Sequence, residues 1–563
     1  MTNQEIADIL SFTASLMELH DENPFKVRSI QSAGFHIEKI ETPLSSLSLA
    51  ELEKQEGIGK SIAAKIIELN QSGKLGELEA LQQKTPEGIV ELLQIKGIGP
   101  KKVKTLWKEL GINNKEELLE ACKNNSVAKL KGFGEKTQEN IIQVLEFVMK
   151  QSDKHLYGDL EALAFDLEKK IAAALKTTVR LSGEMRRMME VVDGVSFVAV
   201  SNDFAHTFAA INTLPFLSEA PAKSGLYRWN GTETSKNIPV DIYLTTADNF
   251  GSELFKQSSG INHLRLKTSS GKTFLQTATA AKYASEEALY EHFNLPFIPS
   301  ELREGYRELK LAEENLLGEL ISDTDIQGSF HNHSTYSDGT HSLEEMTKQC
   351  ISLGYSYFGI SDHSKSAFYA NGLDEERVAK QHIEIDKLNA SLGGIKIFKG
   401  IESDILNDGA LDYADDVLKT FDFIVASIHS NLKMNEEKAT QRLITAIENP
   451  HTTMLGHPTG RLLLKREGYP IDHKKVIDAC AAHNVIIEIN AHPWRLDMDW
   501  RHIGYALDKG CIISINPDAH EKAGLSDVHF GICVARKAGL CKEQTFNAWS
   551  LEKVSAWLQS KRK

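Results

Sequence analysis

The chain has 563 residues, enough for three or four domains with ample buried cores and no need of the staples that hold small scaffolds together. Its net charge of −14 speaks against general attraction to a polyanion, yet does not exclude nucleic acid, because binding follows where positive groups cluster rather than their sum. Six cysteines lie scattered at Cys122, Cys350, Cys480, Cys511, Cys533 and Cys541 with no CxxC pair, which argues for a reducing compartment and against a disulfide framework.

The opening MTNQEIADILSF lacks a basic region before an apolar core, and no apolar run is long enough to cross a bilayer. The expectation is a cytoplasmic protein with no membrane partner. From residue 1 to about 150 the apolar period is helical and β-branched runs are scarce, and we divide this part into 1–90 and 91–150. A small unit recurs in it: QEGIGKSIAAKI (Gln55 to Ile66), IKGIGPKKVKTL (Ile95 to Leu106) and LKGFGEKTQENI (Leu130 to Ile141). Each has a Gly, an apolar residue and a second Gly before a helix: Gly57 and Gly59, Gly97 and Gly99, Gly132 and Gly134. Two glycines allow a tight turn with positive φ, and bare N–H groups at the following helix N-terminus can then face a phosphate oxygen, blind to base sequence. Lys60, Lys101, Lys102 and Lys136 follow the turns, and Lys96, Lys104 and Lys108 add to the cluster around the second.

These units resemble helix-hairpin-helix motifs, which implies DNA as partner, held by its backbone without sequence preference, with a monovalent cation at the turns. From FKVRSIQSAG (Phe25 to Gly34) onward the region is similar to the N-terminal part of family X DNA polymerases. That resemblance makes Lys65 a candidate for the amine that attacks the sugar aldehyde at an abasic site, a role that needs a lowered pKa.

Between about 151 and 320 the pattern turns to mixed strand and helix, with TVRLSG, VSFVAV and PVDIYLTT as expected strands, an α+β module. The similarity to family X polymerases continues through LSGEMRR, VDIYLTT, NFGSELF and PSELREGYRELKLAEEN, and implies a palm and thumb. It also implies three aspartates for two Mg²⁺ ions. Set against Arg186 and Arg187, the paired carboxylate positions fall on Gly194 and Ser196, and Asp241 matches the third. Asp193 is one residue out of register, which turns its side chain to the opposite face of a strand. The Gly-Ser expected to cradle a triphosphate becomes Gly183 and Glu184, and the Tyr-Phe pair beneath the sugar becomes Lys256 and Gln257. One Asp beside Gly and Ser is not a magnesium site, so we read a retained shape with a degenerate polymerase centre.

From 321 to 563, short apolar runs end repeatedly in a metal-ligand residue type: SFHNH, YFGISDH, KIFKGIESD, FDFIVASIH, TTMLGHP and CIISINPDAH, with VIIEIN ending at Asn490. Stretches of helical period, SLEEMTKQCISLG, EERVAKQHIEIDKL, EEKATQRLITAIEN and HKKVIDACAAHN, alternate with them. Alternation implies a parallel sheet, and seven such strands with functional groups at their C-terminal ends imply a closed or nearly closed barrel with the ligands at one mouth. So many His, Asp and Glu without Cys suit two or three ions roughly 3.5 to 4 Å apart, the arrangement that generates a hydroxide nucleophile at a phosphate ester. These residues resemble the PHP (polymerase and histidinol phosphatase) phosphoesterase domain, which implies a distorted seven-stranded (β/α)7 barrel with three ions. Its nine ligands fall on His331, His333, Asp338, His363, Glu402, His429, His457, Asp518 and His520. Arg461, in GHPTGR, is placed to hold a phosphate with its forked donors. Manganese is the first ion to try, and zinc or iron also suit these ligands.

Taken together, the segments resemble the bacterial PolX-type family. The reading that results is a DNA-binding, metal-dependent phosphoesterase, a 3′-5′ exonuclease or 3′-end processing enzyme of DNA repair, acting on gapped or 3′-ended DNA at the nucleoid. Two other readings stay open: an active polymerase with an attached exonuclease, and a phosphatase of a small phosphorylated metabolite.

Overall fold

A computed structural model describes residues 1, 3–37, 40, 42–93, 95, 98–151, 153–268 and 271–562. The chain forms two units, Met1–Ser152 and Asp153–Lys563. The first is helical. In each recurring unit the helix after the Gly pair buries apolar residues three and four apart: Ile62, Ile66 and Leu69, then Val103 and Leu106, then Ile141 and Leu145, all in one core that starts at Ile6. The same spacing leaves Lys60, Lys101 and Lys136 exposed. Gly59 and Gly99 are the N-cap residues of helices Lys60–Ser72 and Pro100–Leu110.

The second unit opens with a five-stranded sheet and a two-stranded ribbon. Its strands are β1 (His155–Leu156), β2 (Val179–Ser182), β3 (Val191–Val192), β4 (Val195–Val200), β5 (Leu217–Glu219), β6 (Arg228–Glu233) and β7 (Ile238–Thr245). The ribbon pairs β1 with β3, and the sheet has the order β2-β4-β7-β6-β5, parallel only between β4 and β7. Helix Tyr157–Leu175 buries Leu160, Ala164, Leu167 and Ile171 against it, again at helical spacing. The three expected strands are present as β2, β4 and β7. Strand β6 is not foreshadowed by composition, because Asn230 and Gly231 interrupt RWNGTE with residues that strands disfavour.

The C-terminal part is a nearly closed parallel barrel of β8 (Gly328–Ser329), β9 (Tyr357–Ile360), β10 (Lys396–Asp404), β11 (Phe423–Ser427), β12 (Met454–Leu455), β13 (Ile486–Asn490) and β14 (Ile513–Asn516), in sequential order. A bridge between Asn332 and Ala519, with His333 N donating to Ala519 O at 2.8 Å, links the last strand back to the first. Side chains alternate faces along a strand, so each apolar run is sorted in two. In β10, Ile397 and Ile401 point out to the helices while Phe398 and Glu402 point in. In β11, Ile424 and Ala426 point out, and Phe423 and Val425 in. The floor of the barrel is therefore packed with Phe330, Tyr357, Phe398, Phe423, Met454 and Ile486, sealed by Phe546 and the helix Leu551–Lys561. Gly400 separates Phe398 from Glu402, and a Cβ there would meet the Phe423 ring at 2.1 Å. That floor holds the ligands one layer up, at the C-terminal mouth.

Candidate metal centre

Six of the seven strand ends, all but that of β13, deliver the nine expected ligands to one largely buried cluster. Glu402 lies at its middle: its Oε1 is 3.2 Å from His331 Nε2, 3.2 Å from His429 Nε2 and 3.0 Å from His457 Nε2, and its Oε2 is 2.9 Å from His363 Nδ1. Asp518 Oδ1 is 3.1 Å from His333 Nε2 and 3.5 Å from His331 Nε2. Asp338 approaches His363 and His520 at 3.7 and 3.4 Å. The donor atoms fall into overlapping groups within 4.8 Å of one another: His333, Asp338, His363 and His520; His331, His457 and Asp518; His331, His333 and Glu402; His363, Glu402 and His429. Shared members let one residue serve two groups, which suits a cluster of two or three cations rather than one.

The directional geometry supports this fit. His331 Nε2, His333 Nδ1, His363 Nδ1 and Glu402 Oε2 are buried without a hydrogen-bond partner among the described residues. Imidazole nitrogens and carboxylate oxygens are nevertheless close, as with the 2.9 Å between His363 Nδ1 and Glu402 Oε2. Polar atoms that near without hydrogen-bond alignment are better served by a shared cation than by one another. An unpartnered buried polar atom costs about 1–3 kcal/mol, so a set of them is costly unless a cation fills the gap.

The electrostatics of the cluster say the same. Burial pushes the Glu402 carboxyl up, but the charges of His429, His331 and His363 outweigh it and hold it well below the carboxylate range. Burial lowers His429, and Glu402 and Asp404 lift it to about 10. Burial, with His520 and His363 beside it, pushes His333 down to about 3. Protons here balance carboxylates, and metal binding would release them.

Several residues that the ligand pattern missed hold the ligands in place. Glu488, inward on β13, accepts from His331 Nδ1 at 2.7 Å and from the His457 backbone N–H at 2.8 Å. Asp404, two residues after Glu402 and so on the same face, pairs with His429 Nδ1 at 2.5 Å. Both match the carboxylate that orients a metal-binding imidazole through its far nitrogen. Buried Asp362 accepts from Ser334 N at 2.8 Å, Ser337 Oγ at 2.5 Å and Gln381 Nε2 at 2.6 Å, fixing the turn that carries Asp338. The signal was present: a carboxylate inside an apolar run such as VIIEIN is out of place unless it works there.

Arg461, expected to hold a phosphate, is spent on structure instead. Its Nε donates to Arg495 O at 2.9 Å, Nη1 to Asp499 at 2.6 Å, and Nη2 to Leu496 O. The guanidinium that faces the cluster is Arg495, with Nε 3.6 Å from Asp518 Oδ2. Lys65 is engaged with Glu77, which also takes Lys26.

In the central sheet, β4 and β7 set Ser196 opposite Asp241, as the matched register requires. A Cβ on Gly194 would lie 2.5 Å from the Pro239 carbonyl oxygen, so backbone fills the space of a missing carboxylate. Ser196 Oγ pairs with Ser182 Oγ at 2.9 Å. The Asp241 carboxylate accepts from Arg228 at 2.7 and 3.0 Å and from Asn230 at 2.8 Å, both on β6. Glu184 accepts from the Asp193 N–H at 2.8 Å, and Lys256 and Gln257 both bond Glu253, at 2.7 and 2.8 Å.

At the hairpin turns Gly57 and Gly132 have φ of +77° and +88°. A Cβ on Gly59, Gly99, Gly132 or Gly134 would meet nothing within 4 Å, so the surface there is open to a ligand. Lys101 is 86% exposed at its side chain. Lys96 and Gly97 lie outside the described residues.

Comparison with known proteins agrees with this architecture. A helix-hairpin-helix domain model matches residues 1–75, a SAM-like helix-hairpin-helix tandem model residues 89–146, and a PHP domain model residues 329–492. Two expected ligands, Asp518 and His520, lie beyond the PHP match and join the cluster through the tertiary fold. The DNA polymerase/3′-5′ exonuclease PolX of Bacillus subtilis (strain 168) is 36% identical over 572 residues, covering 99% of this chain and 100% of that protein. Probable phosphatases of Caldanaerobacter subterraneus subsp. tengcongensis and Thermoanaerobacter sp. (strain X514) are each 26% identical, over 250 and 235 residues, covering 41% and 38% of this chain and 91% and 93% of theirs. With helix-hairpin-helix units, a PHP barrel and end-to-end similarity to such a relative, the chain belongs to the PolX family.

Proposed function

We propose that the chain is a cytoplasmic, nucleoid-associated DNA-processing enzyme whose barrel hydrolyses phosphodiester bonds from 3′ ends, as in repair of gapped DNA. The observation that carries this reading is the convergence of nine imidazoles and carboxylates on one mouth, with buried donor atoms left unpartnered. Residues His331, His333, Asp338, His363, Glu402, His429, His457, Asp518 and His520 would hold two or three divalent ions, manganese first. Such ions supply Lewis acidity toward phosphate oxygens and an ionised water at neutral pH. Glu488 and Asp404 orient imidazoles, and Arg495 presents a guanidinium to a phosphate beside Asp518. The turns at Gly57–Gly59, Gly97–Gly99 and Gly132–Gly134 grip the DNA backbone, with a monovalent cation and with Lys60, Lys101, Lys102 and Lys136 nearby. Lys65, tied to Glu77, would have to leave that ion pair before acting as a lyase nucleophile.

The central module, in this reading, holds or spaces DNA and transfers no nucleotides. Support comes from the absent carboxylates at Gly194 and Ser196 and from the capture of Asp241 by Arg228 and Asn230. The similarity of the barrel to probable phosphatases keeps a second reading, hydrolysis of a small phosphate monoester. The test is metal analysis with a nuclease assay on 5′-labelled and 3′-labelled gapped DNA, comparing wild type with His331→Ala and Asp518→Ala. Both variants should lose Mn²⁺-dependent shortening from the 3′ end. Undiminished digestion by both would sink the site assignment, and turnover of small monoesters without DNA cleavage would favour the second reading.

A further inference from the structure

Beside the ligand cluster the fold leaves two adjacent aromatic rings in water. Phe368 is 89% exposed and Tyr369 70%, on a 3-10 turn, Phe368–Ala370, that follows the ligand His363 by five residues. The turn is not slack. Ala367 and Ala370 on either side are buried, and Ser366 N donates to the Asp412 carboxylate at 2.6 Å, which its hydroxyl also bonds. Leu373 N donates back to His363 O at 2.8 Å. Backbone pinned at both ends holds the rings outward, against the tendency of such side chains to leave water.

The second ring lies close to a metal ligand. The Tyr369 ring centroid is 6.3 Å from that of His363, and its phenol is within electrostatic reach of Asp404, Glu402, Asp338 and Arg495. Another exposed aromatic beside Arg495, Trp494, already carries Lys465 Nζ 3.5 Å above its ring. Among the described residues no ring or cation stacks on Phe368. A small sugar phosphate offers nothing flat to cover such faces. Nucleobases do, and stacking on aromatics is indifferent to base identity, in keeping with the sequence-blind turns of the N-terminal unit.

We propose that Phe368 and Tyr369 form a stacking subsite for the unpaired nucleobases at a DNA strand end, so that the barrel takes frayed, single-stranded ends and reads the base as a flat face. The proposal rests on the phosphodiesterase reading above. Its test crosses a base deletion with a ring deletion in the full chain with Mn²⁺. Wild type should cleave an oligonucleotide ending in adenosine at least about 10-fold better in kcat/KM than the same strand ending in an abasic tetrahydrofuran unit, an effect of about 1.4 kcal/mol and within the range for one stacked base. The Phe368→Ala/Tyr369→Ala variant should cleave both substrates alike, at the wild-type rate for the abasic end, while Phe368→Trp keeps the preference. Both side chains are exposed, so an unchanged Tm is expected for the variants. A terminal 2-aminopurine should be quenched by wild type in EDTA and not by the double variant. Equal preference in wild type and double variant, or none in wild type, overturns the subsite and leaves the phosphodiesterase reading intact. A wild type that cleaves no DNA overturns both.

Discussion

Glu488→Gln isolates what a residue outside the nine proposed ligands contributes to the metal binding proposed for the cluster. The wild-type carboxylate accepts three hydrogen bonds: His331 Nδ1 at 2.7 Å, Asn516 Nδ2 at 2.9 Å and the His457 N–H at 2.8 Å. Glutamine has the same shape but only one acceptor oxygen. If its NH₂ faces the His457 N–H, two donors meet and a buried backbone group goes unpaired, at about 1–3 kcal/mol. If its NH₂ faces His331 Nδ1, that nitrogen must become an acceptor, and the ring proton moves to Nε2, the atom aimed at Glu402 and Asp518. Either way one imidazole ligand is lost or displaced. Losses of about 10- to 100-fold in metal affinity are usual for such partners, which is about 1.4–2.8 kcal/mol. Calorimetric titration of metal-stripped protein with Mn²⁺ should show this loss, with rescue of nuclease rate at high Mn²⁺ and an apo-protein Tm lowered by no more than about a few degrees. An unchanged Mn²⁺ affinity would refute the orienting role and, with it, the argument that His331 coordinates through Nε2.

Restoring carboxylates to the central sheet should fail: Gly194→Asp with Ser196→Asp should yield no primer extension, and Gly194→Asp alone should destabilise by about 1–3 kcal/mol in urea titration, because its Cβ meets the Pro239 carbonyl at 2.5 Å. Template-directed incorporation by wild type that disappears in Asp241→Ala would refute this. For DNA affinity, Lys101→Ala/Lys136→Ala should flatten the plot of log K against log salt by about 0.9 for each phosphate that is no longer neutralised, and an unchanged slope would remove these turns from the interface. His529 lies between Glu161 and Asp323 at 2.9 Å from each, joining the helix Tyr157–Leu175 to the barrel's helix Val528–Lys537. Hydrogen bonds to Asp323, Cys533 and Glu161 lift its pKa to about 12 despite burial. A folded pKa above the unfolded value of about 6.5 means the stabilisation is whole below about pH 6.5 and fades as pH climbs toward the folded value. His529→Asn should therefore lower Tm more at pH 7 than at pH 10, and an equal loss at both would show that the imidazolium is not the stabilising form.

How much of this was legible beforehand depends on what each residue had to reveal. The ligands were readable because a strand buried on both faces appears as an unbroken apolar run, and a His, Asp or Glu at its end stands out. Arg228 was not, since β6 carries Asn and Gly and lacks a strand's composition; only its pairing beside β7 brings Arg228 and Asn230 to Asp241. Arg461 drew attention as a potential phosphate holder and Arg495 did not, and loop closure alone decided that the first braces backbone while the second faces Asp518.

By itself the sequence determined the order of modules, the alternation of strand and helix in the C-terminal part, the three glycine turns and the nine ligand residue types, because each depends on neighbours within one turn or one strand. Only the tertiary structure decided which side of each doubly buried strand faces inward. An apolar run shows no period when both faces are covered, so Phe398 and Glu402 become interior, and Glu488 becomes a partner of His331, only once the barrel curls round and gives the sheet an inside.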